Sequence, residues 1–134
     1  MLLQPKKTKF QKIQKGKLLK FNFRSNTLKF GNFGLKAAQS GTVSSRQIEA
    51  ARQAIIRKIN RKGKLWIRVF PSIPITKKPI EVRMGNGKGL ISHWSTKISA
   101  GTLLFEICGI SNNIAITALK TGGAKLPVKT KILY

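Results

Sequence analysis

Ser44-Ser45-Arg46-Gln47-Ile48-Glu49-Ala50-Ala51-Arg52-Gln53-Ala54-Ile55-Ile56-Arg57-Lys58-Ile59-Asn60-Arg61-Lys62-Gly63 carries the strongest helix signal in this chain. Ser44 followed by Gln47 is a capping box, in which each side chain satisfies the other residue's backbone N–H. Gly63 supplies the expected stop. Between them Ile48, Ala51, Ile55 and Ile59 recur at helical spacing and form one apolar stripe. Arg46, Gln53, Arg57, Asn60 and Arg61 fall on the other side. The helix therefore packs one face on a sheet and turns a basic face outward. Its charge is almost all of one sign, which suits a phosphate-facing surface.

Strand signals flank this helix on both sides. Phe30 to Ala37, with Gly31 and Gly34, reads as a short bent strand. Leu65 to Phe70 is apolar on both faces and reads as a central strand. Pro71, Pro74 and Pro79 are expected to keep the next connection out of regular structure. Ile80 to Met84 reads as a short strand leading into the loop Gly85-Asn86-Gly87-Lys88-Gly89. His93 to Ile98 and Leu103 to Cys108 form a predicted hairpin, with Ser99 to Thr102 turning around Gly101. Ser111 can cap a second helix through Ile114, Ala115, Ala118 and Leu119, weakened at its end by Gly122 and Gly123. Val128 to Leu133 reads as a terminal strand. Strands mixed with two helices, without regular alternation, predict an α+β two-layer sandwich: a mainly antiparallel sheet with two helices on one face.

The charge is extreme. Twenty-seven Lys and Arg stand against Glu49, Glu81 and Glu106, with no Asp, giving a formal +24 in 134 residues. So much like charge in one small domain calls for a polyanionic partner, and each phosphate contact releases a counterion. Eight of these cations, Lys6, Lys7, Lys9, Lys12, Lys15, Lys17, Lys20 and Arg24, precede residue 28. The apolar residues among them, such as Phe10, Ile13, Leu18, Leu19, Phe21 and Phe23, keep no period. Residues 1–27 are therefore read as a basic RNA-binding extension, and 28–134 as a single α+β domain.

Catalysis is poorly supplied. A Ser-His-Asp arrangement lacks its Asp, and the sole histidine, His93, has no partner for a metal site. Beside Trp94, His93 reads as a packing or RNA-stacking residue. Cys108, the single cysteine, cannot form an internal disulfide and reads as a buried, inert thiol. The glycine-rich loop is not a P-loop, because Lys88 is followed by Gly89 and a strand rather than by Ser or Thr and a helix. It remains a flexible loop with Arg83 at its base and Lys88 near its tip, able to grip phosphates. No enzyme activity, metal or cofactor is expected. No membrane association is expected either, since no apolar run is long enough to span a bilayer. A free-standing nonspecific nucleic-acid binder is the alternative to a ribonucleoprotein component.

Several motifs, in this order, resemble the large-subunit ribosomal protein family L16 (uL16). They are Leu3-Gln4-Pro5-Lys6-Lys7-Thr8-Lys9-Phe10, Ser45-Arg46-Gln47-Ile48-Glu49-Ala50-Ala51-Arg52 and Lys64-Leu65-Trp66-Ile67-Arg68-Val69-Phe70-Pro71. Lys78-Pro79, Arg83-Met84-Gly85 and Gly87-Lys88-Gly89 follow, then Leu104-Phe105-Glu106-Ile107 and Ala124-Lys125-Leu126-Pro127. The resemblance implies a structural constituent of the large subunit, docked on its rRNA below the central protuberance beside neighbouring ribosomal proteins, and no homo-oligomer. It implies that Lys6, Lys7, Lys9, Lys12, Lys15, Lys17, Arg46, Arg52, Arg57 and Arg61 bind rRNA. It further implies that Arg83, Gly85, Gly87, Lys88 and Gly89 lie near A-site tRNA by the peptidyl transferase centre. The chain departs from the family at Gln14, where bacterial relatives often carry His, and from Lys17 to Thr27. The match begins at residue 2 or 3, which leaves no room for a cleaved presequence. Lys outnumbers Arg twenty to seven, and Ile, Asn and Phe are frequent, as in an AT-rich genome. That suggests an organelle-encoded protein, mitochondrial first, then plastid, with an AT-rich bacterium third.

Overall fold

The computed structural model describes residues 3–16, 18, 21–23, 25–85 and 87–134. The expectations for Lys17, Leu19, Lys20, Arg24 and Asn86 lie outside those residues. Helix α1 spans Ser45–Lys58 behind Ser44, and its capping box is complete. Gln47 N–H donates to Ser44 Oγ at 3.3 Å, and Ser44 N–H donates to Gln47 Oε1 at 2.9 Å. The helix stops well before Gly63. Asn60 and Arg61 both take left-handed backbone, at φ 52° and 60°. Asn60 N–H reaches Arg57 O at 3.2 Å and Arg61 N–H reaches Ile56 O at 3.2 Å, the paired bonds of a Schellman cap. Asn tolerates this backbone better than most residues, so it replaces the glycine expected there.

Among the described residues, seven strands form two antiparallel sheets. One has four strands, in the order β3 (Lys64–Ile67), β6 (Leu103–Cys108), β1 (Phe33–Ala37), β7 (Thr130–Leu133). The other has three, in the order β2 (Gly41–Ser44), β5 (Leu90–Ile98), β4 (Ile73–Lys77). Helix α2 spans Asn112–Gly123 and packs on α1, β1 and β7, while α1 also packs on β2 and β5. The α+β class is as expected, with the strands divided between two sheets. Between strands and helices lies a core that includes Leu35, Ile48, Ile55, Phe105, Ile107 and Leu119. Fully burying a side chain such as Phe105 contributes about 1.5–3 kcal/mol.

Several expected elements differ, each for a physical reason. β1 begins at Phe33 rather than Phe30, because the amides of residues 29–31 bond a side chain instead of a ladder. β3 is an edge strand, not a central one. Its outward Trp66 is covered by Phe30, stacked at 5.9 Å, and not by another strand. Pro74 sits within β4, which tolerates it because an edge strand is paired on one side only. Residues 80–84 form no strand; Val82 N–H bonds Pro79 O in a turn, and Ile80 and Met84 are almost fully exposed. β5 starts at Leu90, three residues before His93. The turn at Ser99 to Thr102 forms around Gly101, but it passes the chain from one sheet to the other, so β5 and β6 make no hairpin. Ser111 occupies the N-cap of α2 without a side-chain bond, and Ile114 faces outward. β7 is shorter than expected, and Cys108 is half-buried.

Residues before 28 are tied to the rest of the chain. Leu3 belongs to the core, Asn22 N–H bonds Ala100 O at 2.8 Å, and Leu103 N–H bonds Ser25 O at 3.0 Å. Among the described residues, no helix is long and apolar enough to cross a membrane.

Candidate nucleic-acid interface

Burial of Ile48, Ala51 and Ile55 fixes the rotation of α1, so Arg46, Gln53 and Arg57 are left exposed, as are Asn60 and Arg61 beyond its end. Arg52 is different. Its Nε donates to Glu49 Oε2 at 2.9 Å and its Nη2 to Glu49 Oε1 at 2.6 Å, a bidentate pair. Hydrogen bonding from Arg52, then from Gln53, holds the Glu49 carboxyl below its usual range. Arg52 therefore neutralises the acid of this face, and Arg46, Arg57 and Arg61 keep no ion-pair partner among the described residues. A cleft of about 390 Å³ runs between Arg52, Gln53, Ile56, Arg57 and Arg61. It shares Gln53 with a second cavity toward the start of the helix. The outward face of α1 is thus a furrow lined by cations, of a kind that tracks a phosphate backbone.

The arm and the glycine-rich loop meet. Lys6, Lys7, Lys9, Lys12 and Lys15 are all exposed. Lys12 Nζ donates to Lys88 O at 2.9 Å, and Lys88 Nζ donates to Ile13 O at 2.6 Å. This reciprocal clasp ties the arm to the loop and brings two exposed lysines to the same surface. Gly85 and Gly87 take φ of 109° and 76°, backbone that other residues rarely adopt, and stand in open space. Lys78 Nζ donates to Gly85 O and steadies the near side of the loop, while Gly89 lies close against Lys77. Arg83 is exposed at the loop's base.

Glu106 and Arg68 were not singled out by sequence. Glu106 is fully buried on β6. Its Oε2 accepts from the backbone N–H groups of Lys29, Phe30 and Gly31 at 3.1, 2.7 and 2.8 Å, and its Oε1 from Arg68. Burial pushes this carboxyl up, but the amides of Phe30, Gly31 and Lys29, with Arg68, bring it below the usual range. The Arg68 guanidinium also lies 4.9 Å from the Phe30 ring centre, and Lys64 Nζ 5.2 Å from that of Trp66. These residues tie residues 29–31 to β6. The signal available in sequence was an acid inside an otherwise apolar run, Leu103 to Cys108.

The chain is similar in sequence to known proteins. The family described as "Ribosomal protein L16p/L10e" matches residues 5–133. Large ribosomal subunit protein uL16 of Hyphomonas neptunium is 53% identical over 132 residues, covering 98% of this chain and 96% of that protein. The protein of the same name from Halorhodospira halophila is 54% identical over 129 residues, covering 96% and 94%. That of Orientia tsutsugamushi is 51% identical over 132 residues, covering 98% and 97%. The match runs through the arm, the α1 furrow, the glycine-rich loop and the buried Glu106 alike, and the chain belongs to the ribosomal protein L16p/L10e family.

Proposed function

We propose that this chain is a structural constituent of the large ribosomal subunit that binds rRNA and helps position A-site tRNA near the peptidyl transferase centre. Its part is architectural, with no catalytic group of its own. The observation that carries the reading is the state of its acids. Glu49 and Glu106 are each consumed by an internal arginine, so among the described residues Glu81 is the one side-chain carboxylate without an ion-pair partner. A surface so nearly free of negative charge suits close contact with phosphate on several sides. In this reading residues 1–27 are the RNA-binding extension of a domain formed by 28–134. Lys6, Lys7, Lys9, Lys12, Lys15 and Lys17, with Arg46, Arg52, Arg57 and Arg61, bind rRNA, Arg52 while paired to Glu49. Arg83, Gly85, Gly87, Lys88 and Gly89 form the tRNA-proximal loop.

The roles separate by mutation. Arg83→Ala should slow tRNA accommodation on purified ribosomes more than it lowers subunit assembly, and neutralising Lys6, Lys7 and Lys9 should do the reverse. Arg83 is the cleaner loop variant, because Lys88 also holds the arm. Equal assembly defects from both would contradict the division.

The finer reading, a mitochondrial ribosome, is supported by composition, twenty Lys to seven Arg. The relatives compared above are bacterial, and a bacterial ribosome fits them. Recovery of the coding sequence from purified mitochondrial DNA supports the organelle; recovery from a bacterial chromosome overturns it.

A further inference from the structure

At the start of α1 the furrow opens into a cavity of about 550 Å³, walled by Gln4 of the arm, Arg46 and Gln53 of α1, and Ser92, His93 and Trp94 of β5. Its walls combine an indole, an imidazole and a guanidinium with amide and hydroxyl groups. The volume falls in the range of small-ligand sites, which run from about 300 to 1,000 Å³. One acid, Glu49, also lines the cavity, but Arg52 holds both of its oxygens and so reduces its repulsion of an anion. Aromatic, histidine and guanidinium planes are the surfaces on which unstacked RNA bases settle, while duplex RNA offers only its backbone and shallow groove. A cation-lined cleft continues from this cavity through Gln53 toward Arg57 and Arg61, so a strand whose phosphates follow the cleft delivers one residue to its end.

We infer that this cavity receives a single unpaired RNA nucleotide, its base against Trp94 and its phosphate on Arg46. The inference rests on the rRNA-binding reading above and deepens it, adding a base-recognising pocket to a surface that otherwise grips backbone. The expected ligand is a bulged or looped-out residue, since a paired base cannot leave its stack without cost.

The test uses the full chain carrying Trp66→Phe, which leaves Trp94 as its single tryptophan. Two RNA probes of equal length are titrated: a perfect duplex, and the same duplex with one bulged nucleotide. The bulged RNA should quench Trp94 fluorescence and the duplex should not. Trp94→Leu should weaken binding of the bulged RNA, read by filter retention, by about 5-fold or more, the lower end of a lost base stack, and leave duplex affinity unchanged. Arg46→Ala, at an exposed position, should weaken the bulged complex more than the duplex complex, with its circular dichroism unaltered. Equal affinity for both RNAs, with Trp94 emission unchanged, would overturn the pocket and leave backbone binding standing. Failure to bind either RNA at low salt would overturn the rRNA-binding reading itself.

Discussion

The carboxylate of Glu106 lies wholly inside the protein, where an isolated charge would be prohibitive. Three backbone amides and the Arg68 guanidinium make it tolerable, and together they pin residues 29–31 to the centre of β6. Glu106→Gln keeps the shape and removes the charge, leaving Arg68 half-stranded against Phe30. It should destabilise the protein by about 3 kcal/mol at pH 7, read from the urea midpoint. Because the folded-state pKa of Glu106 is depressed below its ordinary value of 4.5, its contribution is present above that pH and is lost as pH falls through the folded value. The wild-type midpoint should therefore drop below about pH 4.5 more steeply than that of Glu106→Gln. Glu49 shifts in the same direction, but its pair with Arg52 is partly exposed and contributes little. Identical midpoints at pH 7 would sink this assignment. The acid inside an apolar run was legible in the sequence, but its partners were not, because the amides that hold Glu106 lie 75 to 77 positions away.

At the scale of elements, the two helices approach closely where Gly122 of α2 meets α1. A Cβ there would lie 2.5 Å from Ile55 Cγ1, and Ile55 is fully buried. Gly122→Ala removes a helix-weakening glycine, a gain of about 1 kcal/mol in an isolated helix. In this packing the overcrowding should prevail, with a net loss of about 1–2 kcal/mol in thermal or urea unfolding. A more stable variant would show that the helices can move apart. Gly122 reads in sequence as a defect of α2; the structure makes it the site of helix contact. Elements governed by local chemistry were legible: the Ser44–Gln47 box started α1 and the apolar run marked β6. Elements governed by their neighbours were not. Pro74 looks incompatible with a strand until its place on an edge is known, and Trp66 looks central until Phe30 covers it.

Across the whole molecule, fourteen of the twenty-seven cations fall on the arm, the helix furrow and the loop, with two of the three acids spent internally. Most of the candidate cations were legible because charge is written in the sequence and α1 has a readable period. The clasp of Lys12 with Lys88 was not, since it joins positions 76 apart. Nor was the loss of Arg52 to Glu49, because either side chain could have faced solvent alone. Such a basic surface suits burial in rRNA of the large subunit. Sedimentation of a ribosome-containing extract tests this directly. The chain should travel with large subunits, stay with them in moderate salt, and leave that fraction after RNase treatment. Migration at the monomer position, unaffected by RNase, would contradict it.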